Sequence, residues 1–133
     1  MPHVTLAEKL INSPLAAKAG VPQGYPLRRH QAGEPALDGP IVIGGVGPAR
    51  VAEYLRSQLA VDYQIIDTTA EAKRAALVFD ATGLETPEQL RELYDFFHPQ
   101  LRSLLPCARI VVVGTTPEAA ETIDARIAAR ALE

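Results

Sequence analysis

The sequence predicts an α/β fold built on a mostly parallel, four-stranded sheet. Over residues 41–133, short apolar segments alternate with amphipathic segments, a pattern typical of a parallel sheet covered by helices on both faces. The chain of 133 residues is long enough for one domain with one core. Residues 1–40 are rich in proline and glycine, so we expect an N-terminal arm with short helices there.

Four apolar segments are the candidate strands. They cover residues 41–44, 63–67, 76–80 and 109–114. Only residues 68–75 separate the second candidate from the third, whereas a parallel crossover with its helix usually needs roughly a dozen residues. We therefore place the third strand on the far side of the first. The expected strand order is 2-1-3-4, with a switch point beside the first strand, where such sheets bind ligands.

Two short helices are predicted within the arm. Thr5 and Glu8 have the spacing of a capping box, in which each residue satisfies a backbone amide of the other. Ser13 followed by Pro14 is a favourable helix start, and Gly20 is a favourable place for that helix to end.

Three longer helices are predicted in the alternating region. The first covers residues 49–59, and the other two open at Pro87 and Pro117, each of which follows a threonine suited to capping. Pro99 should kink or break the second of these helices, because proline cannot continue the backbone hydrogen bonding.

Charge and cysteine content restrict the class of function. The 13 Lys and Arg against 16 Asp and Glu give a net charge of -3, so no basic excess favours a nucleic-acid partner. Cys107 is the only cysteine, which excludes an internal disulfide and argues against a cysteine-based zinc site. Glu8 and Lys9 interrupt the segment that a secretory leader would need to be apolar, and the sequence shows no apolar run of membrane length, so we expect neither feature. We expect a cytoplasmic protein without a membrane partner.

The stretch "IGGVGPAR" resembles the phosphate-binding turn of dinucleotide-binding folds, in which three glycines permit the turn, the ligand's approach and close helix packing. Gly45 and Gly47 stand at the first two positions, but Arg50 stands at the third and Pro48 lacks an amide donor. Asp67 follows at the ~20-residue distance of a ribose-binding carboxylate. Gly45, Gly47, Arg50 and Asp67 are thus candidate cofactor-binding residues, although we favour a structural turn.

The sequence contains no recognisable catalytic constellation. Reductases of this general fold pair a tyrosine with a lysine four residues later, because the lysine lowers the pKa of the tyrosine. No tyrosine here has that partner, and neither a G-x-S-x-G nor an H-E-x-x-H pattern occurs. We predict no catalytic residue and no metal ligand in this chain. The positions four residues after the tyrosines hold Arg29, Gln58, Asp67 and His98.

Longer strings carry a more specific resemblance. They are "GVPQ", "LRRHQAGEPAL", "IGGVG", "LVFDATGL", "FFHPQLRSL", "RIVVVGTTPEAA" and "RIAARALE". Together they resemble the N-terminal domain of the high-molecular-weight, two-domain 3-oxoacyl-(acyl-carrier-protein) reductases of the short-chain dehydrogenase/reductase superfamily. The resemblance covers residues 15–133 and implies a degenerate Rossmann- or flavodoxin-like three-layer sandwich over residues 41–133. In that family a complete ketoreductase domain follows, and it is not in this sequence.

The same resemblance implies that the catalytic groups have been lost. The last helix is similar to the one that carries tyrosine and lysine in short-chain dehydrogenases, and Ala125 and Ala129 stand at those two positions. Thr115 is the hydroxyl nearest to the position of the catalytic serine. The resemblance therefore implies a catalytically silent accessory domain of an enzyme of fatty-acid metabolism that uses NADH or NADPH.

The implied partners are the chain's own C-terminal reductase domain, a second copy in a homodimer, and acyl-carrier protein or acyl-CoA. Arg28 and Arg29 in the arm are candidates for contacting the acidic carrier protein. The sequence ends in helical residues without a capping residue, which favours a piece of a longer protein. The alternative hypothesis is a nucleotide-binding regulatory domain that uses the turn at residues 45–50, called the glycine turn below.

Overall fold

The computed structural model describes residues 5–24, 28 and 31–133. The chain divides into two compact units, Met1–Ala36 and Leu37–Glu133. The division falls shortly before residue 40, where the predicted arm ends. In the described part of the chain, no helix is long and apolar enough to cross a membrane.

The first unit contains the two short helices expected from the sequence, α1 (Leu6–Ile11) and α2 (Pro14–Lys18). Both bonds of the capping box are present: the Thr5 N–H donates to the Glu8 carboxylate at 2.6 Å, and the Glu8 N–H donates to the Thr5 hydroxyl. Ser13 caps α2 by accepting the Ala16 N–H. Neither of these helices buries a residue, so local capping rather than a core holds them.

The second unit is built on three parallel strands in the order β1-β2-β3. They are β1 (Ile41–Gly45), β2 (Arg74–Asp80) and β3 (Leu104–Val113). The strand β2 is central, and every one of its residues is buried. A strand of a parallel sheet that is buried on both faces has a continuous apolar sequence. The apolar segments of the sequence therefore predicted the positions of β1 and β2.

The predicted four-stranded sheet with the order 2-1-3-4 is not confirmed. Residues 63–67 form no strand and make one parallel bridge, between Ile65 and Ile41. The loop that follows this bridge is held by its carbonyl groups, which accept from the guanidinium of Arg74. The carbonyl oxygens that accept from this guanidinium belong to Thr68, Ala70 and Ala72.

Helices pack on both faces of the sheet. They are α3 (Ala52–Leu59), α4 (Arg91–Phe97) and α5 (Ile123–Leu132). Successive side chains of a strand point to opposite faces, so Val78 packs in a cluster with α3 while Phe79 packs with α4 and α5. Two apolar cores therefore flank the sheet.

The last helix begins later than predicted. Pro117 opens only a 3₁₀ turn, Pro117–Ala119, and α5 starts at Ile123. Thr122 is its N-cap, since the Thr122 hydroxyl accepts the Ala125 N–H at 3.1 Å. A second capping threonine in the sequence, rather than the Thr-Pro pair, thus sets the start of this helix.

Proline also ends the fourth helix, as predicted. The helix α4 stops at Phe97, and Pro99 lies in the 3₁₀ segment His98–Ser103 that follows. The strand β3 then begins at Leu104 rather than at residue 109. Its pairing with β2 is irregular near Cys107, whose φ of 61° lies in the left-handed region.

Candidate functional site

A groove of about 660 Å³ lies at the carboxyl ends of β2 and β3. The loops that follow parallel strands meet at this edge of a sheet, where ligands of α/β proteins usually bind. The loop after β1, the loop after β2 and the segment leading into α5 supply its walls. The groove is therefore the candidate site of the second unit.

Asp80, the last residue of β2, lies beside this groove and is 0% exposed. Its Oδ2 accepts the backbone N–H groups of Val51 at 2.8 Å and Ala52 at 2.7 Å. Its Oδ1 accepts the N–H of Thr82 at 3.0 Å and the hydroxyl of Thr82 at 2.6 Å. The carboxylate thus has four donors, and two of them belong to the N-terminus of α3.

These donors determine the ionisation of Asp80. Burial by itself raises the pKa of the Asp80 carboxyl, but the hydrogen bonds from Thr82, Val51 and Ala52 outweigh it and hold the pKa below its usual value. The side chain is therefore ionised at neutral pH. It places a full negative charge where the positive end of the α3 dipole lies.

Stability should depend on pH through this group. Because the folded pKa of Asp80 is lowered, its stabilising contribution is fully present above the unfolded value of 3.8 and is lost as the pH falls through the lower, folded value. Urea unfolding of the chain at a series of pH values should show a decline in stability below about pH 4. The Asp80→Asn variant should show a shallower decline, and identical slopes would contradict this role.

The glycine turn packs closely against the loop after β2, which leaves no space for a ligand between them. A Cβ at Gly47, where φ is +55°, would lie 2.8 Å from the Gly83 carbonyl oxygen. A Cβ at Gly83 would overlap the Val46 carbonyl oxygen, and one at Gly45 would lie 3.1 Å from the Asp80 carbonyl oxygen. In this structure, glycine is needed because two protein loops approach each other closely.

Replacing Gly83 with alanine should therefore separate these two loops. We expect the free energy of unfolding to fall by about 3 kcal/mol, because backbone rather than a flexible side chain occupies the space. Gly24→Ala is the matched control, since a Cβ there has no neighbour within 4 Å and needs no unusual φ. Thermal unfolding checks the prediction, and equal midpoints for the two variants would contradict it.

Arg50 lines the groove and is held by two threonines. Its guanidinium donates to the Thr115 hydroxyl at 2.5 Å, and its backbone N–H donates to the Thr82 hydroxyl at 3.0 Å. Thr115 in turn donates to the Thr82 carbonyl at 3.4 Å. These bonds connect the loops after β1, β2 and β3 across one edge of the sheet.

The other three predicted cofactor-binding residues are placed differently. Gly45 and Gly47 belong to the turn that packs against the loop after β2. Asp67 is exposed, and it is not among the residues that line the groove. The structure therefore brings Gly45, Gly47 and Arg50 together in one connection, with Asp67 apart from the groove.

The groove carries more acidic than basic side chains. Among its described lining residues, three are carboxylates and one is a guanidinium, so the difference is two negative charges at neutral pH. Negative charge on the wall disfavours a phosphate ligand, while threonine hydroxyls offer neutral donors and acceptors. The ionisable residues are Arg50, Glu85, Glu121 and Asp124, and the threonines are Thr82, Thr86, Thr115 and Thr122.

Ala125 and Ala129, which the predicted resemblance aligns with a tyrosine and a lysine, both line the groove. Methyl groups cannot donate a proton or adjust a pKa. Among the groove residues that the structure describes, no tyrosine, lysine, histidine or cysteine is present.

Asp80 was not predicted to be a site residue, but the structure places it at the centre of the hydrogen-bond network. A signal was present in "FDATG", where an acidic residue ends an otherwise apolar strand and a threonine follows two residues later. Such an acidic residue often accepts from the amide two positions on, as Asp80 does from Thr82. The bonds to α3 depend on the pairing of β1 with β2, which the local pattern does not reveal.

The predicted carrier-protein contact lies partly outside the described residues. Arg28 donates to the Pro35 carbonyl at 2.7 Å and lies 3.8 Å from the Glu34 carboxylate. Arg29 is outside the described residues. The Arg28 guanidinium thus contributes to the local structure of the first unit.

Comparison with protein-family models and with curated proteins gives no match for this chain. The resemblance to the reductase N-terminal domain therefore stays a prediction from the sequence. Within residues 5–24, 28 and 31–133, no three histidine, cysteine, aspartate or glutamate side chains come together as a metal-binding group.

Proposed function

We propose that this chain is a catalytically silent accessory domain of a cytoplasmic 3-oxoacyl-(acyl-carrier-protein) reductase that uses NADH or NADPH. The observation that carries the proposal is the pair Ala125 and Ala129 on the groove wall. The resemblance places these alanines where a tyrosine would donate a proton and a lysine would lower the pKa of that tyrosine. On this proposal, the groove corresponds to an active site that lacks these two groups.

The closed glycine turn supports the same proposal. The first amides of α3, which would face a pyrophosphate in a dinucleotide-binding fold, donate to Asp80 instead. We further propose that the second unit is a reduced Rossmann- or flavodoxin-like sandwich. In it, residues 63–67 would correspond to the outer strand of the order 2-1-3-4, and the bridge between Ile65 and Ile41 supports this.

The proposed role is structural. We propose that the domain packs against its own C-terminal reductase domain, organises the homodimer or shapes the entrance for the acyl chain of acyl-carrier protein or acyl-CoA. Apolar side chains exposed on β3 and on α5 support a packing role, because single exposed residues are common but neighbours on one face favour contact with another protein. Ile110 and Val112 share one face of β3, with Val111 on the other, and Ile123 and Ile127 lie about one turn apart on α5.

A nucleotide-binding regulatory domain is the second candidate. Arg50 favours it, because its guanidinium reaches the groove and can in principle contact an anion. The three carboxylates on the same wall and the filled N-terminus of α3 disfavour it. We therefore prefer the silent accessory domain.

The proposal predicts that the chain alone does not reduce a 3-oxoacyl thioester. The purified chain should oxidise neither NADH nor NADPH above the buffer rate when it is mixed with 3-oxoacyl-CoA or 3-oxoacyl carrier protein. Arg50→Ala and Thr115→Ala are the matched variants, because both side chains line the groove. Turnover by the wild-type chain that either variant abolishes would overturn the proposal.

A further inference from the structure

The outer edge of β3, the edge that faces away from β2, is uncovered in the described part of the chain. Ile110, Val111 and Val112 are 52%, 42% and 40% exposed on this strand. Edge strands usually carry charges, proline or bulges that prevent pairing with another chain. Here Pro106 and the irregularity near Cys107 protect only the first half of β3. Residues 109–113 therefore present an apolar edge that can accept another strand.

The backbone groups on this outer edge belong to two residues. The Val113 carbonyl accepts the Ala81 N–H, so Val113 directs its backbone groups toward β2. Successive residues of a strand direct their backbone groups to opposite edges. Val111 therefore also bonds toward β2, whereas Ile110 and Val112 direct their N–H and C=O groups outward. A strand that pairs here must satisfy the groups of both residues.

We propose that the outer edge of β3 pairs antiparallel with the same edge of a second copy of this chain, about a two-fold axis at Val111. Ile110 then lies opposite the partner's Val112, and each accepts the N–H of the other. The same bonds recur on the other side of the axis, so every outward N–H and C=O of Ile110 and Val112 gains a partner. The two three-stranded sheets become one continuous sheet.

The side chains along this edge favour a second copy as the partner strand. With the axis at Val111, apolar residues lie opposite apolar residues, and Arg109 lies opposite the partner's Val113, so no like charges face each other. Pairing an edge with itself also closes the assembly, whereas pairing it with a different edge would extend it into a filament. The opposite edge of the sheet is already engaged at Ile41, which bonds with Gln64 and Ile66. The inference rests on the homodimer role proposed above and gives it a surface and a register.

Sedimentation equilibrium of the full chain tests the association. Over a concentration series that reaches about 1 mM, the average mass should rise from one chain toward two, because an interface of a few strand residues binds weakly. Val111→Lys should weaken the association about tenfold, since the axis places the two introduced ammonium groups opposite each other. Val61→Lys is the matched control, because it replaces a 78% exposed valine outside the sheet and should associate like the wild type.

Disulfide formation tests the register in a Cys107→Ser background, where an introduced cysteine is the only thiol. Val111→Cys should give a disulfide-linked dimer under mild oxidation, because the two Cα atoms at the axis lie about 4.5 Å apart. Ile110→Cys is the matched control. Its two copies lie diagonally, about 7–8 Å apart, at or beyond the reach of a disulfide, so they should cross-link far more slowly.

Two results would overturn the inference. One is a wild-type chain that stays a single chain at every concentration, which would leave the edge to a strand of another protein. The other is equal cross-linking of the Val111→Cys and Ile110→Cys variants, which would exclude an axis at Val111. Neither result bears on whether the chain reduces a 3-oxoacyl thioester, so failure of this interface is distinguishable from failure of the catalytically silent role.

Discussion

Replacing Asp80 with alanine should lower the free energy of unfolding by about 4 kcal/mol. Hydrogen bonds to a charged group contribute about 1.5–3 kcal/mol each, although bonds within one network do not add independently. The substitution removes the acceptor for four donors, among them the Val51 and Ala52 amides that begin α3. Because these donors lie in or near the core, water replaces the carboxylate incompletely.

Urea unfolding at neutral pH measures this loss. Asp80→Asn is the matched control, because it keeps the shape of the side chain and part of its accepting capacity, so its loss should be about half as large. Asp67→Ala removes an exposed aspartate from the same unit, away from the groove, and should leave stability unchanged. Similar stabilities for Asp80→Ala and Asp67→Ala would mean that the Asp80 network does not hold the fold.

Replacing Arg74 with alanine should lower the free energy of unfolding by about 3 kcal/mol. Arg74 is 3% exposed, and its guanidinium donates to three carbonyl groups of the preceding loop at 2.7–2.9 Å. The substitution removes these three bonds and leaves a cavity at the start of β2. The loss is smaller than that expected for Asp80, because the loop carbonyls lie nearer to water.

The effect of Arg74→Ala should also be local. The loop that Arg74 holds follows the bridge between Ile65 and Ile41, in which the Ile66 N–H donates to the Ile41 carbonyl at 2.9 Å. Hydrogen exchange at the Ile66 amide should become faster in Arg74→Ala than in Arg109→Ala, which removes an exposed arginine from β3. Arg74→Lys should be intermediate in stability, because lysine keeps the charge but lacks the planar fork. Unchanged exchange would contradict the proposed role of Arg74.

Local sequence signals predicted the elements that depend on local chemistry. The two capped helices of the first unit, the strands β1 and β2, and the end of α4 before Pro99 follow from capping residues, apolar runs and proline. The start of α5 was misplaced, because two threonines compete as the cap and only the later one, Thr122, accepts a backbone N–H.

Features that depend on distant contacts were not predicted. Residues 63–67 have the composition of a strand but make only one bridge, and the loop that follows is held by hydrogen bonds to the distant side chain of Arg74. The start of β3 was missed because Leu101 and Leu104 continue the helical spacing of α4, although Leu104 pairs with Arg74. The role of Asp80 likewise depends on strand pairing that brings it to α3.

The close approach of the two loops indicates that the glycine turn is a structural turn and not a cofactor site. Calorimetric titration of the chain with NADH, NADPH, FMN and AMP distinguishes these two possibilities. We expect no saturable heat for any of the four ligands up to millimolar concentration. Saturable binding of one of them that Arg50→Ala abolishes would contradict a closed turn and favour the nucleotide-binding regulatory domain.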